Sequence, residues 1–189
     1  HPESSNYTDV YYEHHLMGTV PTVMAHCIHL SDVEMDRMAD TQTMVSHCPY
    51  SNVNLSSGIS PIRKLFERNI PIGLGSDISG GHIVSMAKVL TEAIGLSKMK
   101  WVEVDQTYAP LTLSEAFYMA TKGGGKFFGK VGSFEKGCEL DALIIDDATL
   151  FDPNERSLEE RLERWLYVGD DRHIVERYVA GKVAPEPMH

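Results

Sequence analysis

Three polar residues stand at the ends of apolar runs: His26 closes "TVMAH", His47 comes near the end of "TMVSHC", and Asp77 follows "IPIGLGS" directly. Imidazole and carboxylate are the side chains that hold zinc or iron and that move protons near neutral pH. Taken singly, each has an ordinary structural reading: a histidine satisfied by a hydrogen bond, or an aspartate capping the element that follows a glycine-rich loop. Three in succession point to a shared site. An aspartate set by a run as apolar as "IPIGLG" would lose its hydration unless a cation or a strong donor set faced it. The sequence therefore predicts a metal ion, Zn2+ or Fe2+, against Asp77, ligated at about 2.0–2.2 Å and leaving room for a water acidified toward a pKa of about 7. Asp77 would both touch the ion and accept the water's proton, and His26 would hold that water by a hydrogen bond. His29, three positions after His26, falls past the strand end, and His14, His15 and His82 lie where no strand pattern supports a ligand role.

The elements that must position these residues alternate in a βαβα rhythm over residues 20 to 130, which predicts a parallel sheet with helical crossovers. Strands are expected at 22 to 26, 43 to 48 and 70 to 76, and such a sheet collects the C-terminal ends of its strands on one rim. Between them, "LSDVEMDRMADT" has Ser31 as a helix N-cap with Val33, Met35 and Met38 among charges, and "SPIRKLFERN" has Pro61 in a first helical turn. "SMAKVLTEAIGLSKMK" spaces Met86, Leu90, Ala93, Ile94 and Ser97 as one helical face, read as core. "LTLSEAFYMATKGGGKFFG" is a further helix, starting at Thr112 or Ser114 and ending near Gly123 to Gly125. Beyond Gly129 the texture changes to a strand over 140 to 146, a helix in "RSLEERLERWLYVG" with a solvated charged face, and a final strand in "IVERYVAGKV" bent at Gly-Lys. The expected division is residues 1–130 as part of a barrel domain and 131–189 as part of a small flanking β domain.

Composition narrows the function. The 189 residues carry a formal charge of −10 and are 42% hydrophobic. An acidic chain lacks the clustered Lys and Arg that phosphate-backbone binding needs, so no nucleic-acid partner is expected. No apolar stretch approaches the roughly 20 residues of a membrane span, and "HPESSNYTDV" has no signal-peptide pattern, so a soluble cytoplasmic protein with no membrane partner is expected. Cys27, Cys48 and Cys138 lack the spacing of a disulfide framework or zinc ribbon and read as free buried thiols. The Pro-Cys-x-x-Cys string of the small nucleobase deaminases does not occur.

The strings "MAHCIHLSDVEMDRMADT", "SHCPYSNVNLSSGISPI" and "IPIGLGSDISGG", with "LTLSEAFYMATKGGGKFFG" and "GSFEKGCELDALIID" after them, resemble the amidohydrolase superfamily in its deaminase and chlorohydrolase branch. "LYVGDDRHI" tilts the resemblance toward members that deaminate guanine. The resemblance implies an α/β fold: the C-terminal part of a TIM-like metal-dependent hydrolase barrel, strands six to eight, plus part of a small β domain. It implies that Asp77 is the metal-binding aspartate after the eighth strand and a proton acceptor, and that His26 is the sixth-strand histidine that positions the attacking water and the leaving amine. It implies Zn2+, with Fe2+ as the other metal, a small purine as partner, and a homodimeric intact enzyme. The family's His-x-His pair, its fifth-strand histidine and the glutamate three residues after that histidine have no counterpart in this chain. Residues 1–189 alone are therefore expected to show no turnover. Two further readings remain open at this stage: a deaminase or dehalogenase of the same branch acting on another heteroaromatic ring, and a non-catalytic scaffold.

Overall fold

The protein is described by a computed structural model over residues 1–185. Three short strands, β1 (Val23–Ala25), β2 (Met44–His47) and β3 (Ile72–Leu74), form a parallel sheet in the order β1-β2-β3. Val23, Met24 and Ala25 pair with Met44, Val45 and Ser46, and Val45, Ser46 and His47 pair with Ile72, Gly73 and Leu74. Each strand is shorter than its apolar run, for a local reason. Pro71 has no N–H and joins the ladder only through its carbonyl, which accepts from Val45 N at 2.8 Å, so β3 begins at Ile72. At the other end, His26 and Cys27 adopt φ of 66° and 49°, left-handed values that turn the chain out of the sheet immediately after Ala25.

The crossover between β1 and β2 is α2 (Asp32–Asp40), started by a reciprocal capping box of Ser31 and Glu34. Met35 and Met38 are buried as expected, whereas Val33 points to solvent at 62% exposure because the helix turns it away from the sheet. A short helix, α1 (Tyr7–Glu13), is tied to α2 by the Arg37–Asp9 ion pair and by Thr8 N donating to Glu34 Oε1 at 3.1 Å. Two helices separate β2 from β3: α3 (Pro49–Asn54), which sequence patterning did not predict, and α4 (Ile62–Glu67). Pro61 sits at the cap of α4, one residue outside the turn where it was expected, since its ψ of 57° is not helical.

After β3 comes α5 (Met86–Glu103), which buries Val89, Leu90, Ala93 and Ile94. Met86 is 37% exposed rather than core, and Val89 takes its place on the buried face. Next is α6 (Leu113–Tyr118), capped by Thr112 and continued by a π-helical turn at Met119–Gly123. The turn lies on the sheet so closely that a Cβ on Gly73 would meet Gly124 Cα at 2.8 Å, which explains glycine at position 73. A second sheet, antiparallel and ordered β4-β5-β6, contains β4 (Ala142–Ile145), β5 (Ile174–Val179) and β6 (Lys182–Val183). The bend between the last two is Ala180-Gly181, both at positive φ, so Lys182 already belongs to β6 and not to the turn. Between the arms of this sheet, α7 (Leu158–Val168) sends Trp165 and Leu166 into the same hydrophobic core as Leu65, Ile72, Leu90 and Met119. Cys27 and Cys48 are buried free thiols; Cys138 is only half-buried, because it lies in the loop before β4.

One ion pair locks α4 to α6. Arg63 binds Glu115 through both guanidinium nitrogens, at 2.6 and 2.9 Å, and Glu115 also closes the Thr112 capping box. The Arg63 hydrogen bonds, against the opposing effect of partial burial and with help from Thr112, hold the Glu115 carboxyl down to about 2. A depressed carboxyl contributes stability above its ordinary pKa of 4.5 that is lost as pH falls toward 2. After discounting for solvent screening, Glu115→Gln is expected to cost about 1–2 kcal/mol at neutral pH by denaturant unfolding, with the variant and parent converging near the acid end of that window.

Candidate active site

The C-terminal rim of the parallel sheet brings two of the three strand-end residues together. His26 follows β1 and Asp77 follows β3 by three residues, and Nε2 of the first lies 3.7 Å from Oδ2 of the second. Both residues are bent toward the rim by left-handed backbone, with φ of 66° at His26 and 45° at Asp77. The loop after β3 is held tightly: Gly81 N donates to Asp77 O at 2.7 Å, and Asn54 Nδ2 donates to Gly80 O at 2.7 Å. At Gly81 glycine is required because a Cβ would meet backbone, and at Gly80 a Cβ would push the Ser51 and Asp77 side chains aside. A Cβ on Gly80 would come within 2.8 Å of Asp77 Oδ2, and one on Gly81 within 2.6 Å of Ser76 O.

The rim is open. Among the described residues the side chains of His26 and Asp77 are 39% and 40% exposed, so nothing in this part of the protein desolvates the carboxylate. The strand is buried, but three residues of loop carry the carboxylate clear of it. Among the described residues no backbone amide pairs with that carboxylate, and His26 Nε2 faces it at 3.7 Å, beyond hydrogen-bond length. Imidazole nitrogen and carboxylate oxygen suit zinc or iron in type. They fall short in number, since among the described residues no group of three His, Cys, Asp or Glu side chains converges to hold an ion. The pair can therefore contribute part of a metal site and can accept protons, and it does not by itself make a metal centre.

His47 is placed elsewhere. It is 1% exposed and lines a cavity of about 150 Å³ between α4 and α5, beside Ile62, Ala93 and Leu111. Its Nδ1 has no hydrogen-bond partner among the described residues. Burial, with a smaller effect from nearby His26, pushes its pKa down to about 4. His29 is tied through Nε2 to Ser57 O at 2.9 Å, His82 packs edge-on against Tyr50 with ring centroids 5.0 Å apart, and His14 caps the end of α1.

Two residues that sequence reading passed over support His26. Asn52, on α3, lies 2.8 Å from His26 Nδ1 through Oδ1, and its Nδ2 donates to Ser60 Oγ at 3.3 Å. Ser60 Oγ in turn donates to the main-chain oxygen of His26 at 2.5 Å. Both Asn52 and Ser60 are almost wholly buried. The only signal for them in the sequence was their place in "SHCPYSNVNLSSGISPI".

Compared with known proteins, the chain matches the Amidohydrolase family over residues 1–184. It is 40% identical to "Guanine deaminase" of Dictyostelium discoideum, over 96% of this chain and 41% of that protein. A solved guanine deaminase from C. acetobutylicum, which has guanine bound in its active site, superposes with a TM-score of 0.93 at 51% identity, over 97% of this chain and 43% of that one. An adenosine deaminase from Xanthomonas campestris, solved with bound zinc, superposes with a TM-score of 0.74 at 25% identity, over 93% and 39%. The chain thus spans less than half the length of these relatives.

The buried His47 leads to a stability prediction. A histidine with a depressed pKa stabilises the fold fully above its ordinary 6.5, and that stability is lost as pH falls from 6.5 to about 4, because the unfolded chain binds the proton first. Roughly 3 kcal/mol should disappear across this window in urea unfolding. In His47→Asn that part of the pH dependence should be absent, whatever the variant's absolute stability.

Proposed function

The chain belongs to the amidohydrolase family, and on that premise we propose that it is the C-terminal part of a guanine deaminase, which hydrolyses guanine to xanthine and ammonia. The observation that carries the reading is the facing of His26 Nε2 and Asp77 Oδ2, 3.7 Å apart, on the open rim of the parallel sheet. We assign β1, β2 and β3 to strands six, seven and eight of a TIM-like barrel, residues 1–130 to that barrel, and 131–189 to a flanking β domain. Identity with guanine deaminases over nearly the whole chain supports the substrate choice.

Hydrolytic deamination needs one water per turnover: its oxygen bonds to the ring carbon, the exocyclic C–N bond breaks, and both water protons must be relocated. Asp77 is the proton acceptor in this reading, because among the described residues no backbone amide occupies its carboxylate and it faces His26 Nε2 on the strand-end rim. His26 sits where it can orient the water against the ring and hand a proton to the departing amine, which leaves as ammonia. A Zn2+ or Fe2+ ion held in part by Asp77 would supply the positive charge that makes water a competent nucleophile near neutral pH. The remaining metal ligands and the groups that grip the purine edge would come from the rest of the protein. The resemblance to an adenosine deaminase keeps other purines in view, and turnover separates them.

The full-length protein should convert guanine to xanthine with stoichiometric ammonia release, and should turn over adenosine and s-triazines far more slowly. Asp77→Asn and His26→Gln should each lower kcat/KM for guanine by roughly 10³-fold or more with the fold intact by circular dichroism. Turnover of another ring in preference to guanine would overturn the substrate assignment, and indifference to Asp77→Asn would overturn the site.

A further inference from the structure

The hydrogen bonds around His26 fix where its imidazole carries its proton. His26 O is a carbonyl oxygen and can only accept, so the Ser60 hydroxyl proton is committed to it, at 2.5 Å. Ser60 Oγ can then only accept from Asn52, which must present Nδ2 to Ser60, at 3.3 Å, and Oδ1 to His26, at 2.8 Å. Oδ1 is an acceptor, so the atom opposite it, His26 Nδ1, must be the protonated one. In the neutral ring Nε2 is consequently bare, and it points at Asp77 Oδ2, another acceptor, 3.7 Å away.

We infer that Asn52 and Ser60 are positioning residues that lock His26 in the Nδ1–H tautomer, so that Nε2 and Asp77 together form a double acceptor that only a cation or an N–H or O–H donor can bridge. The loop Asn52-Ser60-His26 is closed on itself, spans residues 26 and 34 positions apart in sequence, and buries its two polar side chains almost completely. A buried amide so placed cannot flip without breaking hydrogen bonds at both ends, and no solvent is there to replace them. The consequence for chemistry is directional: His26 takes up a proton at Nε2 alone and passes it only toward the side where Asp77 stands. The tautomer follows from the hydrogen-bond geometry; its use in handling the protons of deamination rests on the function proposed above.

The test is ¹⁵N NMR of the full-length enzyme labelled at histidine, with the His26 signals identified by their loss in His26→Gln. The wild type should show a protonated Nδ1 and a bare Nε2. Asn52→Leu, which removes the acceptor for Nδ1, should lose that tautomer, and kcat for guanine should fall about 10–100-fold with a smaller change in KM. Ser60→Ala removes the group that orients the Asn52 amide and should yield a mixture of tautomers, which keeps the inference open to test where Asn52→Leu does not fold. A proton on Nε2 in the wild type, or an unchanged Nδ1–H tautomer in both Asn52→Leu and Ser60→Ala, overturns it. Should the enzyme act on a ring other than guanine, the NMR result still decides the tautomer, so the two readings fail separately.

Discussion

His26 Nε2 and Asp77 Oδ2 face each other across 3.7 Å, both as hydrogen-bond acceptors, with neither able to satisfy the other while the imidazole is neutral. Two acceptors held this close create a local demand for positive charge or for donated protons. The remainder of the site serves this juxtaposition. The parallel register of β1, β2 and β3 brings the two strand ends side by side, left-handed backbone at His26 and Asp77 turns them inward, and Gly80 leaves the carboxylate the room it occupies. The Asn52–Ser60 loop settles which imidazole nitrogen takes part.

Parts of this arrangement could be read directly from the residues. The apolar runs ending at His26 and Asp77 located the rim, since alternation of apolar runs with amphipathic stretches is a property of contiguous residues, and capping signals such as Ser31 and Thr112 fell where the helices begin. Other parts could not be read that way. The helix α3 hid inside "CPYSNVNLSSG", where Asn, Ser and Gly read as loop; only Pro49 at its first position hinted otherwise. The 40% exposure of the Asp77 side chain among the described residues was not legible either, because the loop beyond β3 does not continue the burial of the strand. His47 stands level with His26 in the register, next to the Ala25–Ser46 pair, but it remains in β2 and is buried beside α4 and α5, whereas His26 leaves the sheet through a left-handed φ of 66°, a backbone difference that the residue types do not reveal. The contacts of Asn52 and Ser60 join residues 26 and 34 positions apart, so they exist only once the sheet has formed.

Stability and chemistry are divided between the two sides of the sheet. The helix-covered side is largely apolar: Val45, Leu65, Leu90 and Ile94 pack there, and burial lowers the pKa of His47. Arg63 and Glu115 brace α4 against α6 at its margin. The rim, by contrast, is polar, and among the described residues its two candidate catalytic side chains are each about two-fifths exposed. The chain spans 41 to 43% of the length of the guanine deaminases it matches in Dictyostelium discoideum and C. acetobutylicum, which is consistent with a donor pair that is suitable in kind and incomplete in number.

The most direct measurement is a crystal structure of the full-length protein grown with zinc. The account predicts a zinc ion with an Asp77 carboxylate oxygen among its ligands at about 2.0–2.2 Å and His26 Nε2 turned toward the same space. A zinc ion bound elsewhere, with the Asp77 carboxylate occupied by backbone amides instead, would contradict it.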